Sequence, residues 1–189
     1  MSGNGDDTTA SKGVSITLPP VLDPLPLATS SGKIIITGRG QKGTSVVLYV
    51  NDSESKKTEI SDDGTFIISS ITLPEGQNTI KAKTEDNKGA MSEFSNTIRT
   101  AIKRKPPVLE VTKPNDNETI EGDQNIVNIE GRTEEDTDVR INDRFVVLKS
   151  DGSFSYPYPL NEGDNKIEIK AIDRAGNMTQ EMRNVIYKK

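Results

Sequence analysis

The chain contains no cysteine, no histidine and no tryptophan. Without cysteine or histidine it cannot assemble a Ser-His-Asp or Cys-His triad, perform thiol chemistry, or build the usual zinc site. Aromatic residues amount to 4%, as four tyrosines and four phenylalanines, so broad stacking platforms are scarce. No apolar run approaches the roughly 18 residues of a membrane span, and residues 1–14 lack the basic and apolar regions of a secretory signal. Alanine, the strongest helix former, occurs only 7 times in 189 residues.

The residues that are present favour strands. Hydrophobic residues make up 31% of the chain, and 19 Ile and 12 Val supply more than half of them. β-Branched side chains suit a pleated, half-buried surface. Fifteen Gly and ten Pro provide for many turns. Net charge is −5, with −6 carried by residues 106–189 and +3 by Lys103-Arg104-Lys105. This balance disfavours nucleic acid as a partner.

The chain also repeats itself, which is the first feature to seek in such a composition. Pro19-Pro20-Val21-Leu22 recurs as Pro106-Pro107-Val108-Leu109, and Asp63-Gly64-Thr65-Phe66 as Asp151-Gly152-Ser153-Phe154. Glu75-Gly76-Gln77-Asn78 recurs as Glu162-Gly163-Asp164-Asn165. Asp86-Asn87-Lys88-Gly89 recurs as Asp173-Arg174-Ala175-Gly176, each followed two residues on by Met91 or Met178. Gly38-Arg39 and Gly131-Arg132 also match, as do Asn51-Asp52 and Asn142-Asp143, with drifts that place a longer front loop in copy two and an insertion after Asn51 in copy one. The expected organisation is a flexible tail over 1–14, one domain over 15–101, a short Pro-rich basic linker over 102–107, and a second domain over 106–189. Prolines 106 and 107 make that linker semi-rigid.

Period-two alternation marks the strands, as in Asn165-Lys-Ile167-Glu-Ile169-Lys-Ala171 and its counterpart Asn78-Thr-Ile80-Lys-Ala82. Asp63-Gly64 and Asp151-Gly152 predict tight turns, with Phe66 and Phe154 as inward anchors. Gly76-x-Asn78 and Gly163-x-Asn165 predict second turns. Asp86-x-x-Gly89 and Asp173-x-x-Gly176 predict third turns, whose following Met91 and Met178 would fill irregular gaps in the core. About seven short strands per copy and almost no helix predict an all-β protein of two tandem immunoglobulin-like sandwiches.

Asp151-Gly-Ser-Phe154, Leu160-Asn-Glu-Gly163-Asp-Asn165-Lys-Ile167 and Ala171-Ile-Asp173-Arg-Ala-Gly176-Asn177 together resemble bacterial Ig-like domains of the glucodextranase-accessory kind. Copy one departs from the pattern with Thr84 for Ala and Ala90 for Asn. The resemblance implies an exported bacterial protein, secreted or attached to the cell surface, in which this segment adjoins further domains.

Three chemical readings remain to be weighed. The turn aspartates Asp63, Asp86, Asp151 and Asp173 could pair as glycosidase carboxylates, but beside glycine their expected role is to hydrogen-bond the turn backbone. Asp116, Glu118, Glu121 and Asp123, and then Glu134, Glu135, Asp136 and Asp138, offer oxygen ligands for a weak calcium site, although no Asp-x-Asp-x-Asp-Gly loop is present. Tyr156 and Tyr158, two residues apart on one strand face, are the best sugar-binding surface, while Pro157 and Pro159 suit an edge strand. A Lys–Asn isopeptide bond cannot be placed. The expectation is a non-enzymatic extracellular or cell-surface module, without a cofactor and without membrane insertion of its own. It would act as a spacer, adhesion or interaction unit beside neighbouring domains, protein or glycan. The alternatives are a carbohydrate-binding accessory module and a calcium-dependent adhesion module.

Overall fold

A computed structural model describes residues 17–189. The expected tail over 1–14 lies outside the described residues. Among the described residues there is no helix. Sixteen strands form four sheets, two for each copy.

In copy one the strands are β1 (Val21–Leu22), β2 (Ala28–Thr29), β3 (Ile34–Arg39), β4 (Ser45–Val50), β5 (Ser53–Glu59), β6 (Thr65–Ile71), β7 (Gly76–Glu85) and β8 (Ile98–Ile102). They make a three-stranded sheet ordered β1-β3-β6 and a five-stranded sheet ordered β2-β8-β7-β4-β5. Copy two repeats the plan with β9 (Leu109–Lys113), β10 (Glu118–Glu121), β11 (Ile126–Thr133), β12 (Thr137–Ile141), β13 (Arg144–Val146), β14 (Ser153–Pro159), β15 (Gly163–Asp173) and β16 (Met178–Lys188). Its sheets run β14-β11-β9 and β10-β16-β15-β12-β13. The protein is therefore two tandem immunoglobulin-like β-sandwiches.

Each copy has eight strands rather than the expected seven, because its opening strand is split between the two sheets. In copy one β1 pairs antiparallel with β3, whereas β2 pairs parallel with β8. In copy two β9 pairs with β11, and β10 runs parallel to β16. Pro24 and Pro26 separate the first pair, and Pro114 the second. A proline has no N–H for a ladder, so it marks the point at which the chain leaves one sheet for the other.

Alternation carries the cores. Along β15 the residues Asn165, Ile167, Ile169, Ala171 and Asp173 are buried, and the residues between them are exposed or half-buried. In copy one Ile80, Ala82 and Thr84 take the same role on β7. Phe66 and Phe154, 2% and 3% exposed, are the largest inward anchors of β6 and β14. Opposite each lies a glycine. A Cβ on Gly38 would sit 2.3 Å from the Val21 carbonyl oxygen and 2.6 Å from the Phe66 ring. On Gly131 it would sit 2.4 Å from the Glu110 oxygen and 2.5 Å from the Phe154 ring. The repeated Gly-Arg pair is thus a packing requirement: only a residue without a side chain lets the first strand and the ring approach together.

One expectation needs correction. Met91 and Met178 do not fill the cores; they are 42% and 49% exposed. In copy one the inward position passes to Ser92, which is 5% exposed and whose hydroxyl accepts from the Thr84 N–H. The closing strands also differ between the two copies. In copy two β16 starts already at Met178 and pairs with β15 from Ile172↔Met178 to Gly163↔Tyr187. In copy one regular pairing begins only at Ile98. The insertion in copy one lengthens both arms of the β4–β5 hairpin. Its tip is a left-handed pair, Asn51 at φ 49° and Asp52 at φ 65°, matched by Asn142 at 42° and Asp143 at 65°. Asn and Asp tolerate this region better than other non-glycine residues.

Candidate functional site

The repeated aspartates are engaged by their own turns. One oxygen of Asp63 accepts from the Thr65 N–H at 2.9 Å and from the Thr65 hydroxyl at 2.7 Å. Asp151 does the same with Ser153 at 3.0 and 2.7 Å. These bonds favour the charged carboxylate. The Thr65 backbone N–H chiefly lowers the Asp63 pKa, and the Ser153 hydroxyl chiefly lowers that of Asp151. Gly64 and Gly152 both stand at φ 79°, where a side chain is strained.

In the third turns Asp86 accepts from Lys88 and Ala90 N–H groups at 2.9 and 2.8 Å. Asp173 accepts from those of Ala175 and Asn177, both at 2.9 Å. Burial, the largest influence on Asp173, pushes its pKa up. The Asn177 and Ala175 bonds, with Lys103, outweigh it and leave the pKa lowered. Gly89 and Gly176, both at φ 82°, complete these turns.

The second turns are held from beneath by amides. Gly76 and Gly163 stand at φ 91° and 87°. Asn78 Nδ2 donates to the Pro74 and Gly76 carbonyls. Asn165 Nδ2 donates to Asn161 and Gly163, and its Oδ1 accepts from the Asn161 N–H at 2.8 Å.

Asn177 has a second task, because its Nδ2 donates to the Lys103 carbonyl at 2.7 Å. Lys103 Nζ lies 2.6 Å from Glu134 and 3.6 Å from Asp173. The chain entering the second sandwich is thereby held by backbone and side chain together. Ala90, at the matching position of copy one, has no such donor.

The acidic clusters are dispersed. Asp116 accepts from the Asn184 N–H at 2.8 Å, the main cause of its lowered pKa. Glu118 accepts from the Asn115 N–H. Glu121 lies 3.8 Å from Lys188, and Asp136 pairs with Arg174. Among the described residues no three carboxylates converge as a metal site would require.

Tyr156 and Tyr158 lie on β14, the edge of the three-stranded sheet. Both are half-buried and packed against the core. The Tyr156 hydroxyl acts on the Arg144 guanidinium and raises its pKa. The Tyr158 hydroxyl accepts from Asn142 Nδ2 at 2.6 Å. Asn142 in turn accepts from the Glu168 N–H at 2.8 Å and donates to the Lys166 carbonyl at 3.3 Å. Beside Tyr158, an open cleft of about 280 Å³ is lined by Asn125, Asn142, Arg144, Tyr158, Pro159, Leu160 and Asn161. The sequence pointed to the tyrosines alone. Asn142 and Arg144 come from the β12–β13 hairpin and Asn125 from the segment before β11, with no local spacing to the tyrosines, whereas Asn161 lies just past β14.

Two-sheet architecture, split opening strands and turn-bound aspartates define a tandem of immunoglobulin- and fibronectin III-like modules. Residues 107–188 match the family model described as glucodextranase, domain B. Over those residues the second copy is similar to that family, and the first copy repeats its pattern. The chain is 28% identical over 153 residues to Bacillopeptidase F of Bacillus subtilis (strain 168), covering 80% of this chain and 10% of that protein. The fibronectin(III)-like modules of Clostridium thermocellum CbhA share the fold, with TM-score 0.54 and 17% identity over 89% of this chain and 94% of theirs. The chain thus spans about a tenth of the length of the curated relative that it matches.

Proposed function

We propose that this chain is a non-enzymatic module of a larger extracellular or cell-surface protein, serving as a spacer or interaction unit beside other domains. The observation that carries this reading is the engagement of Asp63, Asp86, Asp151 and Asp173 by the N–H and hydroxyl groups of their own turns. Those bonds stabilise ionised carboxylates and lower their pKa values, whereas a general acid needs a raised one. The short shared span with Bacillopeptidase F is consistent with one module among several. So is the matched portion of glucodextranase, which is its domain B. Its partners would be those neighbouring domains, or protein or glycan at the cell surface.

The test is incubation of the chain with a panel of glycans and a protein substrate, scoring new reducing ends and new amino termini. Neither is expected, and either one overturns the reading. Replacing the segment in the full-length protein by an unrelated tandem sandwich then separates the two roles. A pure spacer survives the exchange, whereas an interaction unit does not.

A further inference from the structure

The cleft beside Tyr158 differs in charge from the rest of its sandwich. Residues 106–189 carry −6, and the other clefts of this copy include Glu110 and Glu134, or Asp136, Asp138 and Asp173. This one has Arg144 and no carboxylate in its lining. Arg144 forms no ion pair among the described residues, and the groups that act on its guanidinium are the Tyr156 and Tyr158 side chains. The adjacent acid, Asp143, is directed to Lys170 Nζ at 3.7 Å.

The remaining polar groups are prepared for a ligand rich in hydroxyls. Asn142 uses both amide atoms internally, which makes it a positioning residue. Because it donates to the Tyr158 oxygen, the Tyr158 O–H is left as a donor toward the cleft. Asn125 spends one side-chain N–H on the Leu160 carbonyl and its backbone carbonyl on the Leu160 N–H, and keeps its side-chain Oδ1 as an acceptor. The Asn161 side chain is exposed at the rim. Pro159 and the Tyr158 ring add apolar surface suited to the C–H face of a sugar.

We propose that this cleft is a subsite for a sugar residue bearing a single carboxylate, with Arg144 clamping the carboxylate and Tyr158, Asn125 and Asn161 reading ring hydroxyls. A guanidinium matches a carboxylate through two parallel hydrogen bonds. The net negative charge around the cleft selects against polyanions and admits a singly charged residue, whose interaction with Arg144 is local on the scale of screening. The proposal rests on the reading of the chain as a non-catalytic module.

The test is titration of the isotopically labelled chain with methyl glucuronide, its methyl ester, methyl glucoside and polygalacturonate, following backbone amide shifts. Saturable shifts at Asn125, Arg144, Tyr158 and Asn161 are expected with the glucuronide. Affinity should be about tenfold lower for the ester and the glucoside, and polygalacturonate should bind more weakly per residue at low salt. Arg144→Ala should weaken binding about tenfold and Tyr158→Phe a few-fold, with Arg144→Lys between wild type and Arg144→Ala. Unchanged dispersion of the other amides shows that each variant is folded. No saturable shift at about 20 mM glucuronide, a level that any Kd of practical meaning would reach, overturns the subsite. Equal affinity for ester and acid, or for Arg144→Ala and wild type, does so as well. Cleavage of the glycoside in the same tube would instead overturn the non-enzymatic reading, so the two failures are distinguishable.

Discussion

The two sandwiches close differently. In the second, β16 is a continuous strand whose backbone completes the ladder with β15 over ten consecutive pairs. In the first, the stretch before β8 makes a single bridge, Glu85↔Met91, and serine side chains do the rest. Ser92 gives its N–H to the Thr84 carbonyl and takes the Thr84 N–H on its hydroxyl, both at 2.9 Å. Ser95 does the same with Ala82 at 2.8 and 3.0 Å. Each serine thus provides both halves of a ladder pair. Three residues then span two on β7, which makes a bulge. The bulge throws Phe94 onto the outer face, against Tyr49 at 5.3 Å between ring centres and beneath Lys81 and Lys83. A hydroxyl can therefore replace a strand's own backbone, and it frees a neighbouring side chain for a different use.

The largest effect is expected where the copies agree. Gly38→Ala and Gly131→Ala each force a Cβ against a carbonyl oxygen that cannot retreat, and each should cost about 3 kcal/mol. Residue-resolved hydrogen exchange should show the loss in the sandwich that carries the change, and a cost near zero would remove glycine packing from the shared plan. Next, Ser95→Ala should strand the Ala82 N–H and destabilise the first sandwich by about 1–3 kcal/mol. Met182→Ala, at an exposed position of the continuous β16, should stay within about 0.5 kcal/mol. Equal effects in denaturant melts would show that the serine bridge is dispensable.

Asn96 and Arg183 each tie the closing segment of their copy to its opening segment and make a smaller contribution. The Asn96 amide pairs with the Leu22 N–H and carbonyl at 2.8 and 3.0 Å. Arg183 donates to the Pro114 and Val111 carbonyls at 3.2 and 3.1 Å. Alanine at either position should cost about 1–2 kcal/mol by denaturant titration. A loss in only one copy would mean that the other opening strand is held without it.

The smallest effect is on pH dependence. The folded pKa values of Asp63, Asp86, Asp116 and Asp151 are depressed below 3.8. Their contribution is therefore fully present above the unfolded value and is lost as pH falls through the folded ones. Melting temperature should be level near neutrality and decline below about pH 4. Asp151→Asn should flatten that decline for the second sandwich. A profile unchanged by Asp151→Asn would remove the turn carboxylate from the acid limb.

Much of the architecture was readable from one-dimensional pattern, because its determinants are local. An Asp-Gly-Ser-Phe turn is closed within four residues: Asp151 bonds Ser153, Gly152 adopts the positive φ, and Phe154 starts the next strand inward. Alternation along residues 165–173 specifies which face is buried without reference to a partner. The split of each opening strand was not readable, although the prolines that cause it were in view, because a proline shows where pairing stops and not which sheet receives the chain next. Met91 and Met178 were misread for a related reason. A turn of known type does not say which following residue faces inward until the bulge or strand after it is known. At the candidate site Tyr156 and Tyr158 were visible as neighbours, but Arg144 and Asn125 were not, since only the tertiary fold brings the β12–β13 hairpin and the segment before β11 beside the end of β14.

By itself, the sequence determined the repeat, the all-β class, the turn positions and the phase of burial along the strands, all of which are set by interactions a few residues apart. Tertiary structure alone decided that Gly38 and Gly131 must lack side chains, that serines complete one ladder while backbone completes the other, and that a lone arginine faces a carboxylate-free cleft. Each of these depends on atoms from segments distant in the chain, where packing and unsatisfied hydrogen bonds, rather than local propensity, set the energy.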